Sequence, residues 1–110
     1  MEKKDLLKDT IKHIDIKSYD STQLIDAMRD MSFTSRDTAR ATDILMMMVG
    51  EKECTNILTI AGSTSAAGCM QVYVDMVRNK MVDVVVSTGA SIIDMDLFEA
   101  LGYKHYKGHQ

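Results

Sequence analysis

Two clusters of small and hydroxylated residues hold most of the chemistry this chain could offer. The first, Gly62-Ser63-Thr64-Ser65-Ala66-Ala67-Gly68, follows an apolar run and leads into a helical pattern. Such a turn combines backbone freedom, hydroxyl groups and the free N–H groups of a helix N-terminus, a setting that stabilises a pyrophosphate or similar anion. Small side chains matter because bulky ones would hold a ligand away from the backbone. The spacing is neither GxGxxG nor GxxxxGK[ST], and a small-residue strand-to-helix turn also serves packing alone. The second cluster, Ser87-Thr88-Gly89-Ala90-Ser91, closes the next apolar run. Thr88 supplies a hydroxyl, Gly89 permits unusual backbone angles, and two small-residue turns side by side make a continuous cleft. Asp94 and Asp96 follow closely enough for a carboxylate to reach a ribose hydroxyl, or to complement a helix dipole.

Other reactive groups offer less. No Ser/His/Asp arrangement and no identifiable activated lysine is present, so no catalytic residue is assigned. His13, His105 and His109 lack metal spacing with any acid or thiol, so no metal ligand is assigned either. His105 and His109 share a polar, basic tail, Tyr103–Gln110, expected to be solvated. Asp83, inside an apolar run, is expected to pair with a neighbouring group. Cys54 and Cys69 form no CxxC pair and read as buried free thiols of a reducing compartment.

The elements that must position the two turns follow from periodicity. Asn56–Ala61 and Met81–Val86 are short runs, apolar on both faces, as central parallel strands covered by helices are. A helix from Thr64 or Ser65 to about Asn79-Lys80 joins them, giving a right-handed β-α-β unit. Upstream, Ser21 or Thr22 caps a helix ending near Met31-Ser32. Ser35 caps a second that runs to about Val49, with Gly50 at its C′ position. Ile11–Lys17 alternates like a half-exposed strand, and Met1–Thr10 gives at most a short helical turn, so residues 1–20 read as peripheral. Asp94–Leu101 is a short helix stopped by Gly102.

The fold class is therefore α/β, a parallel sheet with flanking helices, and it is incomplete. Only two strands are evident in 110 residues, fewer than a doubly wound sheet needs, so further strands are expected from a partner or from additional chain. Ten methionines, with Met46-Met47-Met48 closing one helix, suit an adaptable apolar interface with another subunit or domain. A formal net charge of -3 and the lack of a basic patch argue against nucleic acid. The absence of a long apolar run or a signal-peptide core leads to the expectation of a cytoplasmic protein away from membranes.

The runs SFTSRDTARATDILMMMV, TIAGSTSAAGCMQVYVDMVRNKMVDVVVSTGAS and DMDLFEALGYKHYKG, in this order, resemble the amino-terminal part of deoxyhypusine synthase and its archaeal and bacterial relatives. The resemblance covers about residues 21–108, and MVDVVVSTGAS is its most specific part. It implies a Rossmann-like domain and an NAD-dependent transfer of the aminobutyl group of spermidine to a lysine of a translation factor, the first step of hypusine formation. It also implies active sites at subunit interfaces of a homo-oligomer. The family's cofactor turns fall on Gly62, Ser63, Thr64 and Ser65, and on Thr88, Gly89 and Ala90, with Asp94 and less closely Asp96 at its acidic positions. Some members have Thr-Ser-Asn where this chain has Ala61-Gly62-Ser63, and Thr-Ala-Gly-Gly where it has Thr88-Gly89-Ala90-Ser91. These departures keep small residues and change the hydroxyl and amide donors. The family's catalytic lysine lies beyond the position of Gly108, so the chain is expected to supply part of the NAD site. A non-catalytic nucleotide-binding or regulatory module paired with a full-length relative, and a homospermidine-type aminobutyl transferase, are the alternatives.

Overall fold

The computed structural model describes residues 2–108. After a short helix α1 (Lys3–Leu6) and a 3-10 turn (Ile16–Ser18) come α2 (Thr22–Arg29), α3 (Phe33–Gly50) and β1 (Ile57–Ile60). A wide π-type turn (Ser65–Cys69) leads into α4 (Met70–Arg78), followed by β2 (Val84–Ser87). The chain then stays helical through α5 (Gly89–Ser91), a second π-type stretch (Ile92–Leu97) and α6 (Phe98–Ala100). The strands are parallel, paired from Ile57 opposite Val84 to Ile60 opposite Ser87, so the expected α/β class and the parallel β-α-β unit are both present.

Local chemistry explains where the elements begin and end. Ser21 holds the N-cap position of α2, yet the capping bond comes from Asp20, whose Oδ1 accepts from the Thr22 N–H at 2.9 Å. The helix ends at Arg29, ahead of Met31-Ser32, because Asp30 and Met31 donate three residues back and tighten the last turn. Helix α3 starts at Phe33, two residues before the expected Ser35 cap, with Ser32 at the N-cap. Gly50 is its last residue instead of C′, and Glu51 N–H closes it on Met47 O at 3.0 Å. Arg29 joins α2 to α3 through Asp43.

The expected strand at Ile11–Lys17 is absent. Thr10 makes one antiparallel bridge with Tyr106, and Ile11 N–H donates to His105 O at 2.9 Å. Past that point the Asp15 carboxylate accepts from Lys17 N–H and the Ser18 hydroxyl, which draws the backbone into a 3-10 turn and away from a ladder. The same bridge corrects the reading of the tail: His105 and Tyr106 are half-buried, while His109 lies outside the described residues.

The strands also differ from expectation in burial. Their sequence is that of covered strands, yet Ile57 is 57% and Val86 53% exposed, and the buried apolar side chains among the described residues are Ala39, Ile60 and Met95. The radius of gyration is 17.0 Å, against ~13 Å for a compact domain of this size. These residues alone supply no second layer for the outer side of the sheet. Cys54 and Cys69 are half-buried free thiols. Asp83 pairs as expected: its Oδ2 accepts from the buried Asn56 N–H at 2.8 Å, tying the start of β2 to the start of β1.

Candidate functional site

Parallel pairing places the ends of β1 and β2 side by side, and the two small-residue turns leave from those ends. Thr88 N–H donates to Ile60 O at 3.2 Å, which extends the ladder into the second turn. Ser91 Oγ, fully buried, then donates to Gly62 O at 2.7 Å. A single side chain thus joins the two turns directly, so the turns expected from sequence to lie side by side do so.

In the first turn, Gly62 has φ +77, and a Cβ there would meet no protein atom within 4 Å, so the space beside its backbone is open. Ser63 is exposed, and its carbonyl accepts from Ala67 N–H at 3.0 Å. Thr64 Oγ1 accepts from Tyr73 OH at 2.7 Å, which fixes the hydroxyl against α4. Ser65 is 1% exposed, and its Oγ has no hydrogen-bond partner among the described residues. An unpaired buried hydroxyl costs stability, and such groups in native proteins are uncommon outside functional positions.

In the second turn, Thr88, Gly89 and Ala90 are exposed, and Thr88 O accepts from the N–H groups of Ser91 and Ile92. Asp94 is exposed, whereas Asp96 turns inward, with Oδ1 buried and unpartnered. Asp96 lines an open cavity of about 350 Å³ together with Ile60, Tyr73, Val85 and Ile92. A second cavity of about 420 Å³, bordered by His13, Glu99 and Lys104, shares Asp96 with the first. The sequence places both aspartates beside the turn; the structure separates a solvent-facing one from one set against apolar walls.

Three contacts carry no sequence signal because their partners are far apart in the chain. His13 Nε2 pairs with Glu99 Oε2 at 2.7 Å, both side chains largely buried. Lys17 Nζ donates to Asp75 Oδ1 at 2.8 Å. The Lys17 ammonium holds the Asp75 carboxyl below its usual range; burial pulls the other way, and the Gln71 amide adds to the lowering. Ile14 N–H donates to Gly68 O at 2.9 Å. Gly68 interrupts the helix with φ +103, and a Cβ there would sit 3.1 Å from Lys12 O. Only glycine meets both conditions without strain. Among the described residues no group of three or more His, Cys, Asp or Glu is arranged to hold a metal ion.

A parallel β-α-β unit whose two strand-end turns are joined edge to edge defines an α/β protein with its candidate ligand cleft at the carboxyl ends of the strands. The chain belongs to the deoxyhypusine synthase family, whose sequence model matches residues 23–110. It is 60% identical over 106 residues to a deoxyhypusine synthase-like protein of Caulobacter vibrioides, covering 96% of this chain and 29% of that one. A protein of the same name from Chlorobaculum tepidum is 51% identical over 110 residues, all of this chain and 31% of its own. A probable deoxyhypusine synthase 2 of Methanosarcina acetivorans is 36% identical over 95 residues, 86% of this chain and 27% of its own. The chain thus spans about 30% of the length of the curated relatives it matches. No solved structure matches it.

Proposed function

We propose that this chain supplies part of the NAD site of a deoxyhypusine synthase-like transferase, in which the aminobutyl group of spermidine passes to a lysine of a translation factor. NAD, when bound, supplies the hydride acceptor for oxidation of the polyamine. The chain's own share is binding and orientation. Gly62 leaves open space for close approach to the backbone, Ser63 and Ser65 offer hydroxyls, and Thr64 presents one already oriented by Tyr73. Thr88, Gly89 and Ala90 form the opposite wall, and Asp94, exposed at its end, is the carboxylate for a ribose hydroxyl. The observation that carries this reading is the Ser91–Gly62 bond, with the unpaired Ser65 hydroxyl in the turn it anchors.

The remaining strands of a Rossmann-like sheet, the lysine that carries the aminobutyl group and the spermidine pocket belong to chain outside these residues, as a continuation, a complementing chain or a second subunit. Exposed strand faces and the roughly 30% coverage of the relatives support that division. The same reading puts the protein in the cytoplasm, where Cys54 and Cys69 stay reduced.

Calorimetric titration with NAD, followed by an assay for spermidine-dependent formation of NADH, tests the proposal. Binding with turnover and aminobutyl transfer to a protein lysine is the expected result for the complete assembly. Binding without turnover there would replace it by a regulatory nucleotide-binding module, and transfer to a free polyamine by a homospermidine-type enzyme. Absence of NAD binding would overturn it.

A further inference from the structure

The segment 10–17 forms no strand, yet it makes four separate polar contacts, each to a different part of the β-α-β unit and its helical continuation. Ile11 N–H reaches His105 O, His13 reaches Glu99, Ile14 N–H reaches Gly68 O, and Lys17 reaches Asp75. Two of these lie on the element that follows the first turn, and two lie beyond the second. The close approach of Lys12 O to Gly68 adds a steric seat, since it is possible only where no Cβ intervenes. On the cleft side the turns are joined by Ser91 and Gly62. On the far side this segment joins the elements that continue from them.

We propose that residues 10–17 are a positioning strap for the cleft, and that His13 is its principal positioning residue. The His13–Glu99 pair is the strap's most enclosed contact: the side chains are 19% and 12% exposed, and Nδ1 of His13 is buried without a partner among the described residues. Both partners of this bond are shielded, whereas in the Lys17–Asp75 pair only the carboxylate is buried and Lys17 is 58% exposed. With few apolar side chains buried, polar ties of this kind set the separation of the two helical stretches. The strap acts on the cleft through Gly68, holding its left-handed kink and hence the direction of the amides at 62–66. This inference rests on reading the cleft as a dinucleotide site, but its geometric half does not.

The test compares wild type, His13→Leu and His13→Gln in the protein as it is purified, with any continuation or partner chain. NAD affinity and deuterium uptake at residues 62–69 and 88–96 are measured in each. The strap predicts NAD binding weakened about tenfold in His13→Leu and largely restored in His13→Gln, which keeps a donor. It also predicts faster uptake in both turns in His13→Leu. Unchanged affinity, or faster uptake confined to residues 10–17, would overturn it. If wild type binds no NAD, the dinucleotide reading falls and the strap is judged on uptake alone. Should His13→Leu fail to fold, Lys17→Met at the exposed end of the strap gives the same comparison, with a smaller expected effect.

Discussion

The two ends of the β-α-β unit are finished to different degrees. At the carboxyl ends of the strands the chain is closed on itself: Ser91 is fully buried and bonded to Gly62 O, Ser65 is buried, and Thr64 is held by Tyr73. Along the strands themselves, Ile57, Val84 and Val86, which share one face of the sheet, are exposed with no layer over them among the described residues. The difference teaches that the candidate site is built from contacts within some thirty residues, whereas the described residues bury few apolar side chains beneath it. A site can be locally shaped long before the sheet carrying it is thermodynamically secure, because turn geometry is fixed by nearest neighbours while a core needs area.

The comparison breaks most directly at the open face. Val86→Asp should cost little in the isolated chain, where the side chain is half in water, and several kcal/mol in the complete assembly, where a charge would be buried. Loss of co-purification or of the assembled state, seen by size exclusion, is the expected outcome. Equal, small effects in both settings would mean that the strand face stays solvated.

At the closed end, Gly68→Ala combines a backbone angle unsuited to alanine with a Cβ 3.1 Å from Lys12 O. A loss of ~1–3 kcal/mol is expected, read as a lowered melting temperature. Ser91→Ala removes the bond from a fully buried hydroxyl to Gly62 O, for ~1 kcal/mol by denaturant titration and weaker NAD binding.

Ser65→Ala sharpens the contrast between stability and function. Removing an unpaired buried hydroxyl should leave stability unchanged or slightly raised, while NAD affinity falls. A loss of stability with unchanged affinity would assign Ser65 to packing.

The smallest effect concerns acid. The Asp75 carboxyl is held below its ordinary value of about 4 by Lys17, so the folded state binds that proton less readily than the unfolded chain does. Its contribution is complete above about pH 4 and is lost as pH falls through the lowered folded value. Lys17→Met should flatten that part of the acid melting profile, by a small lowering of the melting temperature above about pH 4 with melting in stronger acid almost unchanged.

Much of this was legible in the residues. The apolar runs ending in small-residue turns gave the two parallel strands and the turns at their ends, and Gly102 stops the last helical stretch as its position suggests. The strands are more exposed than their apolar pattern implies, because hydrophobic pattern reports what a residue is suited to meet, not what this stretch of chain provides. Ile11–Lys17 alternates like a strand, but Asp15 captures its own neighbours and Gly68 competes for Ile14. Gly68 was legible as a small residue in a turn, while its role as a seat for Lys12 was not. Nor was the His13–Glu99 pair, since no periodicity links positions 86 residues apart.

The central claim, a locally finished cleft on an unfinished core, is tested most directly by light scattering and thermal melting of the 12.3 kDa chain alone and with its remaining family sequence supplied. The account predicts that the chain alone associates or melts without cooperativity, and that the added sequence produces a defined assembly with a sharp transition. A stable 12.3 kDa monomer that melts cooperatively and is unaffected by the added sequence would contradict it.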